Sequence, residues 1–242
     1  MKGKRIWLIG ASEGIGEALA LQLAQDGAQL ILSARNVSRL DAVKASLSGD
    51  GHRALPVDVC QLESVQQAWQ ALEGRLPDIV IYNAGTYTPM AAQQFDGAAA
   101  EAMIDVNLRG AFRVVSTVLP SYLSQNKGHV VLVGSVAGYR GLPGAIGYGA
   151  SKAAVNHFAE NLRVDLKRTA IKVQLVCPGF VKTRLTEKND FSMPCMVTPQ
   201  YAAKAIAKGL TSSAFEIHFP KRFTYVLKLL QLLPHRLYFR CV

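Results

Sequence analysis

The strongest constraint in this chain is an alternation repeated along its length. A short apolar run is followed by a longer stretch with apolar residues three and four apart. The short runs are RIWLIG, QLILSA, HRALPVDV, DIVIYN, HVVLVGS, KVQLVCP and EIHF. Between them lie EALALQLAQDG, SRLDAVKASLSG, LESVQQAWQALEG, AEAMIDVNLRGAFRVVSTVLPSYLSQ, KAAVNHFAENLRVDLKR and PQYAAKAIAKGL. Runs that are apolar on both sides, joined by helices, predict a parallel sheet buried on both faces. The fold class is therefore α/β, a doubly wound sheet in which ligands bind outside the carboxyl ends of the strands. No internal repeat, low-complexity segment or linker interrupts it.

A chain of 242 residues, half of them apolar, suits one such domain. The formal charge of +10, from 27 basic and 17 acidic residues, favours an anionic partner. A phosphorylated cofactor, an acidic protein or a membrane surface would each serve. Nucleic acid is the least supported, because no basic run is interleaved with aromatics and no recognised module is present. Cys60, Cys177, Cys195 and Cys241 are scattered without metal-site spacing, so no metal is expected and a cytoplasmic, reducing location is the simplest expectation. The start, MKGKRIWLIGASEG, pairs a basic head with an apolar run too short for a secretory signal, and it reads as the first strand. No apolar run is long enough to span a bilayer.

Two short motifs bear chemistry. IGASEGIG, residues 9–16, lies between the first strand and the first helix. Gly10, Gly14 and Gly16 allow tight turns and close approach of a pyrophosphate, and the helix N-terminus offers free N–H donors. YGASK, residues 148–152, puts Tyr148 and Lys152 four apart, on one face of a helix. Taken alone, the pair reads as a ring covering an aliphatic stem on a surface helix.

Together, in this order, the G-x-x-x-G-x-G loop and the Y-x-x-x-K pair resemble the short-chain dehydrogenase/reductase family, over about residues 4–185. The resemblance implies a single Rossmann-type domain over residues 1–220 and an oxidoreductase that interconverts a carbonyl and an alcohol. Gly10, Ser12, Gly14, Ile15 and Gly16 would then hold the cofactor's phosphates. Family members that prefer NAD carry an acid near Ala34; here Arg35 follows instead. A guanidinium pairs well with phosphate, so NADP(H) is expected over NAD(H), with Arg39 a second candidate ligand. Glu13 argues the other way, since a carboxylate pointing inward would repel the 2′-phosphate. Asp58 and Val59, read as the end of the third strand, would frame the adenine; Asp58 could instead cap the next helix. Asn83, Ala84 and Gly85 resemble the family's NNAG, with Tyr82 in place of its first Asn. Pro178, Gly179, Val181 and Thr183 would lie at the nicotinamide. Ile9 stands where the family usually has Thr.

By the same resemblance Asn107, Ser135, Tyr148 and Lys152 form the catalytic set. A free phenol titrates near 10 and is a weak base at neutral pH. An adjacent ammonium and the oxidised nicotinamide are expected to lower it. Tyr148 would exchange a proton with the substrate oxygen, Ser135 would polarise the carbonyl, Lys152 would hold the ribose, and Asn107 would distort its helix and hold a water in a proton relay. The family also implies a homodimer or homotetramer through the helices of Asn107 and Tyr148.

The stretch after Leu185 corresponds to the family's substrate lid, about residues 185–200. Phe191, Met193 and Met196 suggest an apolar pocket and a lipophilic aldehyde, ketone or alcohol. The last segment, 221–242, is the least family-like: Phe223, Val226, Leu227, Leu230 and Leu233 share a helical face flanked by Lys221, Arg222, Lys228, His235, Arg236 and Arg240. It packs on the protein or on another subunit, or makes a peripheral contact with anionic lipid. Two other readings stay open: a 3-oxoacyl carrier-protein reductase, which would suit a basic surface, and a nucleotide-sensing protein without turnover.

Overall fold

The structure, a computed structural model, describes residues 1–72 and 74–242. Seven strands form one parallel sheet: β1 Arg5–Ile9, β2 Gln29–Ser33, β3 Arg53–Ala54, β4 Ile79–Tyr82, β5 Gly128–Val133, β6 Ile171–Pro178 and β7 Glu216–Phe219. Their spatial order is β3-β2-β1-β4-β5-β6-β7. The helices are α1 Gly14–Gln25, α2 Val37–Ala45, α3 Leu62–Gln70, α4 Gly97–Ile104, α5 Gly110–Gln125, α6 Ile146–Asp165, α7 Pro199–Leu210, α8 Lys221–Gln231 and α9 His235–Cys241. This is the doubly wound fold expected from the alternation, with its direction of winding reversed between β1 and β4.

The strands have no polar face because both faces are covered. Ile6 and Leu8 of β1 pack into one apolar cluster with α1 and α7. Trp7 and Ile9, one residue out of phase, pack into a second with α3, α5 and α6. Register then aligns the carboxyl ends: Ile9 pairs with Tyr82, and Tyr82 with Leu132. The chain therefore leaves β1, β4 and β5 along one rim, at Gly10, Asn83 and Gly134.

Two elements depart from expectation. The third strand is two residues long rather than eight. Leu55 and Val57 still donate to Leu32 O and Ala34 O, at 2.8 and 3.2 Å. Asp58 and Val59 consequently sit in a loop beyond the ladder, not on a strand. The stretch read as one long helix is two helices joined by a π turn over Asp105–Arg109, at the place where the resemblance implied that Asn107 distorts it. A π turn displaces the regular hydrogen-bond ladder. Tyr82 meets that disruption: its hydroxyl donates to Val106 O, and Gly110 leaves the space the hydroxyl occupies, where a Cβ would collide with it.

Gly110→Ala should thus destabilise the protein by about 2 kcal/mol through overpacking. Tyr82→Phe alone should cost about 1 kcal/mol by leaving Val106 O unpaired. Because one atom is responsible for both, the double variant should be more stable than the sum implies, by denaturant unfolding. Strict additivity would show that the Tyr82 hydroxyl does not shape the turn.

Candidate active site

The rim where the winding reverses opens into a cleft of about 900 Å³. Every cofactor and catalytic residue expected from the sequence lines it, except Gly16 and Asn107. Both lie beneath it and work through other groups.

The glycine loop is held against β4. Gly10, at φ +86°, comes so close that a Cβ would lie 2.5 Å from Ala84 N. Asn83 Nδ2 donates to Gly10 O at 2.8 Å. Gly16, inside α1, faces these same two groups. With Ile9 in place of Thr, the loop is anchored by backbone instead: Gly10 N and Ala11 N both donate to Ser33 O, at 2.7 and 3.1 Å. Glu13 stands at the N-cap of α1, and its side chain does not cap the helix. The first-turn N–H groups are left for an anion, which fits a pyrophosphate.

At the far end of the cleft lie Arg35 and Arg39, both exposed. The Glu13 carboxylate does not stand alone there. It accepts from Arg39 Nη1 and from Arg184 Nη2, each at 2.7 Å. Two guanidiniums therefore hold one carboxylate, and Arg35 lines the same cleft. Asp58 does not cap α3, whose N-cap position is Gln61. Its Oδ1 accepts from Cys60 N at 3.0 Å, and its own N–H donates to Ser64 Oγ at 3.1 Å.

At the near end α6 begins two residues before Tyr148, so Tyr148 and Lys152 occupy its first two turns. Ser135, after β5, accepts at Oγ from Ala137 N at 3.1 Å, and it lines the cleft together with Tyr148. Lys152 is buried, and its Nζ donates to Val133 O at 2.8 Å. Asn107, fully buried in the π turn, accepts at Oδ1 from Thr86 N at 2.8 Å. Its Nδ2 donates to Thr86 O at 3.1 Å and to Ser151 Oγ at 2.9 Å. Ser151 Oγ in turn donates to Tyr148 O at 2.7 Å. Asn107 thereby ties the β4 loop to the helical turn that carries the tyrosine.

Electrostatics at this end differ from the simple expectation. Burial, reinforced by Tyr87 and Cys177, outweighs the lowering influence of Ser135 and pushes the Tyr148 phenol up to about 12. Burial also lowers the Lys152 ammonium to about 8. Desolvation dominates both groups.

Sequence reasoning missed three cleft-side residues. Arg184 follows Thr183 directly, but its partner Glu13 is 171 positions away, and no local pattern announces such a pair. Lys188 Nζ donates to Tyr87 O at 2.7 Å, and Tyr87 OH donates to Asn189 Oδ1 at 2.7 Å. The Tyr87 ring meets the Tyr148 ring edge-on, with centroids 4.9 Å apart. The expected lid residues behave otherwise. Phe191 and Met196 are exposed, and Phe191 packs on Phe180 at 5.9 Å; neither they nor Met193 reach the cleft lining.

A glycine-rich strand-to-helix turn at the switch point of a doubly wound sheet, with a phenol and an ammonium in the same cleft, defines a nucleotide-binding oxidoreductase of Rossmann type. The comparisons agree. The short chain dehydrogenase model matches residues 4–193. A relative in Myxococcus xanthus, described as an uncharacterized oxidoreductase, is 35% identical over 233 residues, covering 95% of this chain and 92% of its own. The closed form of serine dehydrogenase complexed with NADP+ superposes with a TM-score of 0.82 at 29% identity, covering 89% of this chain and 94% of its own. A short chain dehydrogenase/reductase from Burkholderia phymatum in complex with NAD gives 0.84 at 24% identity, covering 94% and 92%, a likeness that speaks for the fold alone. The chain belongs to the short-chain dehydrogenase family.

The lowered affinity of Lys152 for its proton has a measurable consequence. Its folded value, about 8, lies below its ordinary 10.5. Between those two values the unfolded chain binds more protons at this position, so the contribution to stability rises with pH. The difference in unfolding free energy between the protein and Lys152→Met should climb through this window, by at most about 1.4 kcal/mol per pH unit, and level off below pH 8. A flat difference would mean that Lys152 is not desolvated in the free protein.

Proposed function

We propose that the protein is an NADP(H)-dependent oxidoreductase that interconverts a lipophilic aldehyde or ketone and its alcohol. The observation that supports this most is convergence. One continuous cleft joins the glycine loop and its guanidinium cluster to the hydroxyls of Ser135 and Tyr148 and the ammonium of Lys152. When bound, the nicotinamide supplies or takes the hydride. The chain's own groups handle the proton and the charge. A phenol held near 12 is fully protonated at neutral pH, so Tyr148 is ready to give its proton to a carbonyl oxygen as that oxygen gains charge. Ser135 donates to the same oxygen. Lys152, held by Val133 O, keeps a positive charge beside the phenol and favours the phenolate left behind. Asn107 serves as a positioning residue through Thr86 and Ser151.

Arg35 has no partner among the hydrogen bonds and ion pairs of the described residues, which suits it to an incoming 2′-phosphate. Glu13 is already offset by Arg39 and Arg184. A homodimer through α5 and α6 belongs to this reading. Phe112, 44% exposed, meets Phe158 edge-on with centroids 4.6 Å apart, and that outer face is apolar enough to be covered.

The test is the loss of reduced-nicotinamide absorbance with aldehydes and ketones of graded chain length. Tyr148→Phe should retain NADPH binding while turnover falls by about a thousandfold. Arg35→Ala should weaken NADPH by about tenfold and leave NADH nearly unchanged, since only the former offers a 2′-phosphate to pair. Turnover undiminished in Tyr148→Phe would remove the proposed proton donor. Equal losses for the two cofactors in Arg35→Ala would remove the phosphate contact.

A further inference from the structure

Helices α8 and α9 present two different faces. The inner face is firmly fixed. Phe223 lies against Phe180, with ring centroids 5.6 Å apart, and Thr224 and Tyr238 are buried. Arg140 Nη1 donates to Leu230 O at 3.0 Å and Gln231 O at 3.1 Å, and its guanidinium sits 4.0 Å from the Tyr238 ring centroid. Lys228 pairs with Glu216 of β7. The helices are therefore docked on the domain rather than trailing from it.

The outer face is apolar and open. Tyr225, Val226, Leu229 and Leu232 follow one another at helical spacing, with Leu229 66% and Leu232 80% exposed. Leu237 and Phe239 extend the surface onto α9, Phe239 being 69% exposed. The sequence groups Val226 on one face with Phe223, Leu227, Leu230 and Leu233; the structure turns Val226 outward and leaves the other four partly buried beneath. Around this surface stand the exposed cations Arg222, Arg236 and Arg240. Residues 221–242 contain no Asp or Glu.

Large apolar side chains held outward by a fixed inner face, with cations and no Asp or Glu in their own segment, match an anionic lipid surface. Apolar groups enter the acyl boundary while guanidiniums stay with the headgroups. A second copy fits less well, because a two-fold contact through this face sets arginines opposite arginines. We propose that the protein docks on anionic membrane surfaces through the outer face of α8 and α9, with these helices lying in the plane of the interface. The docking does not depend on the redox reading.

The experiment is flotation of the full chain with vesicles of phosphatidylcholine alone or mixed with phosphatidylglycerol. Binding is expected to the mixed vesicles and to weaken with added salt. Arg222→Gln, Arg236→Gln and Arg240→Gln should each lower the affinity by about fivefold. Leu229→Ser combined with Leu232→Ser should abolish binding; both positions are exposed, so unchanged circular dichroism and nucleotide binding will show that the fold is intact. Leu232→Trp gives an independent reading, since Trp7 and Trp69 are buried, and its emission should shift to the blue on mixed vesicles. Failure to float at low salt overturns the proposal. So does equal binding to neutral vesicles with no effect of the arginine variants. Self-association lost in the double serine variant without vesicle binding assigns the face to a second copy, and retention on an acidic protein alone assigns it to that partner; either result also overturns the lipid surface.

Discussion

The approach of the Gly10 backbone to Asn83 and Ala84 is the contact on which the site depends. It brings the exits of β1 and β4 together where the winding reverses, and only a residue without a side chain allows it. The Asn83 amide locks the distance by donating to Gly10 O. Gly16 then seats α1 on the same two groups. Because these contacts fix the start of α1, they also fix where its unpaired N–H groups emerge. A binding site for phosphate follows from packing rather than from any flexible loop.

The reactive end is organised on a similar principle: buried polar groups are paired before any substrate arrives. Asn107, Ser151 and Thr86 use their donors on one another and on backbone carbonyls, which removes the penalty of burying them. The π turn is what points Asn107 at the β4 loop. Tyr82, the residue that departs from the family's double asparagine, donates to the turn's Val106 carbonyl. Substitution and distortion are thus one arrangement. Lys152 and Tyr148, by contrast, are left with proton affinities that burial has moved in opposite directions. Strongly perturbed groups in a cleft are a mark of a functional site.

Much of this was legible in the chain. The alternation of apolar runs and helical stretches announced the sheet, since a strand buried on both sides can have no polar face. IGASEGIG and YGASK located the two ends of the cleft because their chemistry is local: a turn needs glycine, and an i,i+4 pair shares a face. Three things were not legible. The third strand keeps only two ladder residues, and the partner that meets the distorted helix at Val106 and Gly110 is Tyr82 of β4, remote in the chain. Glu13 was read as a repulsive charge, because its two arginine partners lie 26 and 171 positions away.

The sequence by itself determined the fold class, the position of the phosphate loop and the identity of the phenol and ammonium. The first rests on periodicity, and the other two on short motifs whose order along the chain resembles one family. Tertiary structure decided how charges balance around Glu13, which groups anchor Asn107, how burial shifts Tyr148 and Lys152, and which face of α8 meets the domain. Those outcomes depend on distances between segments remote in the chain, and on how much water the packing excludes.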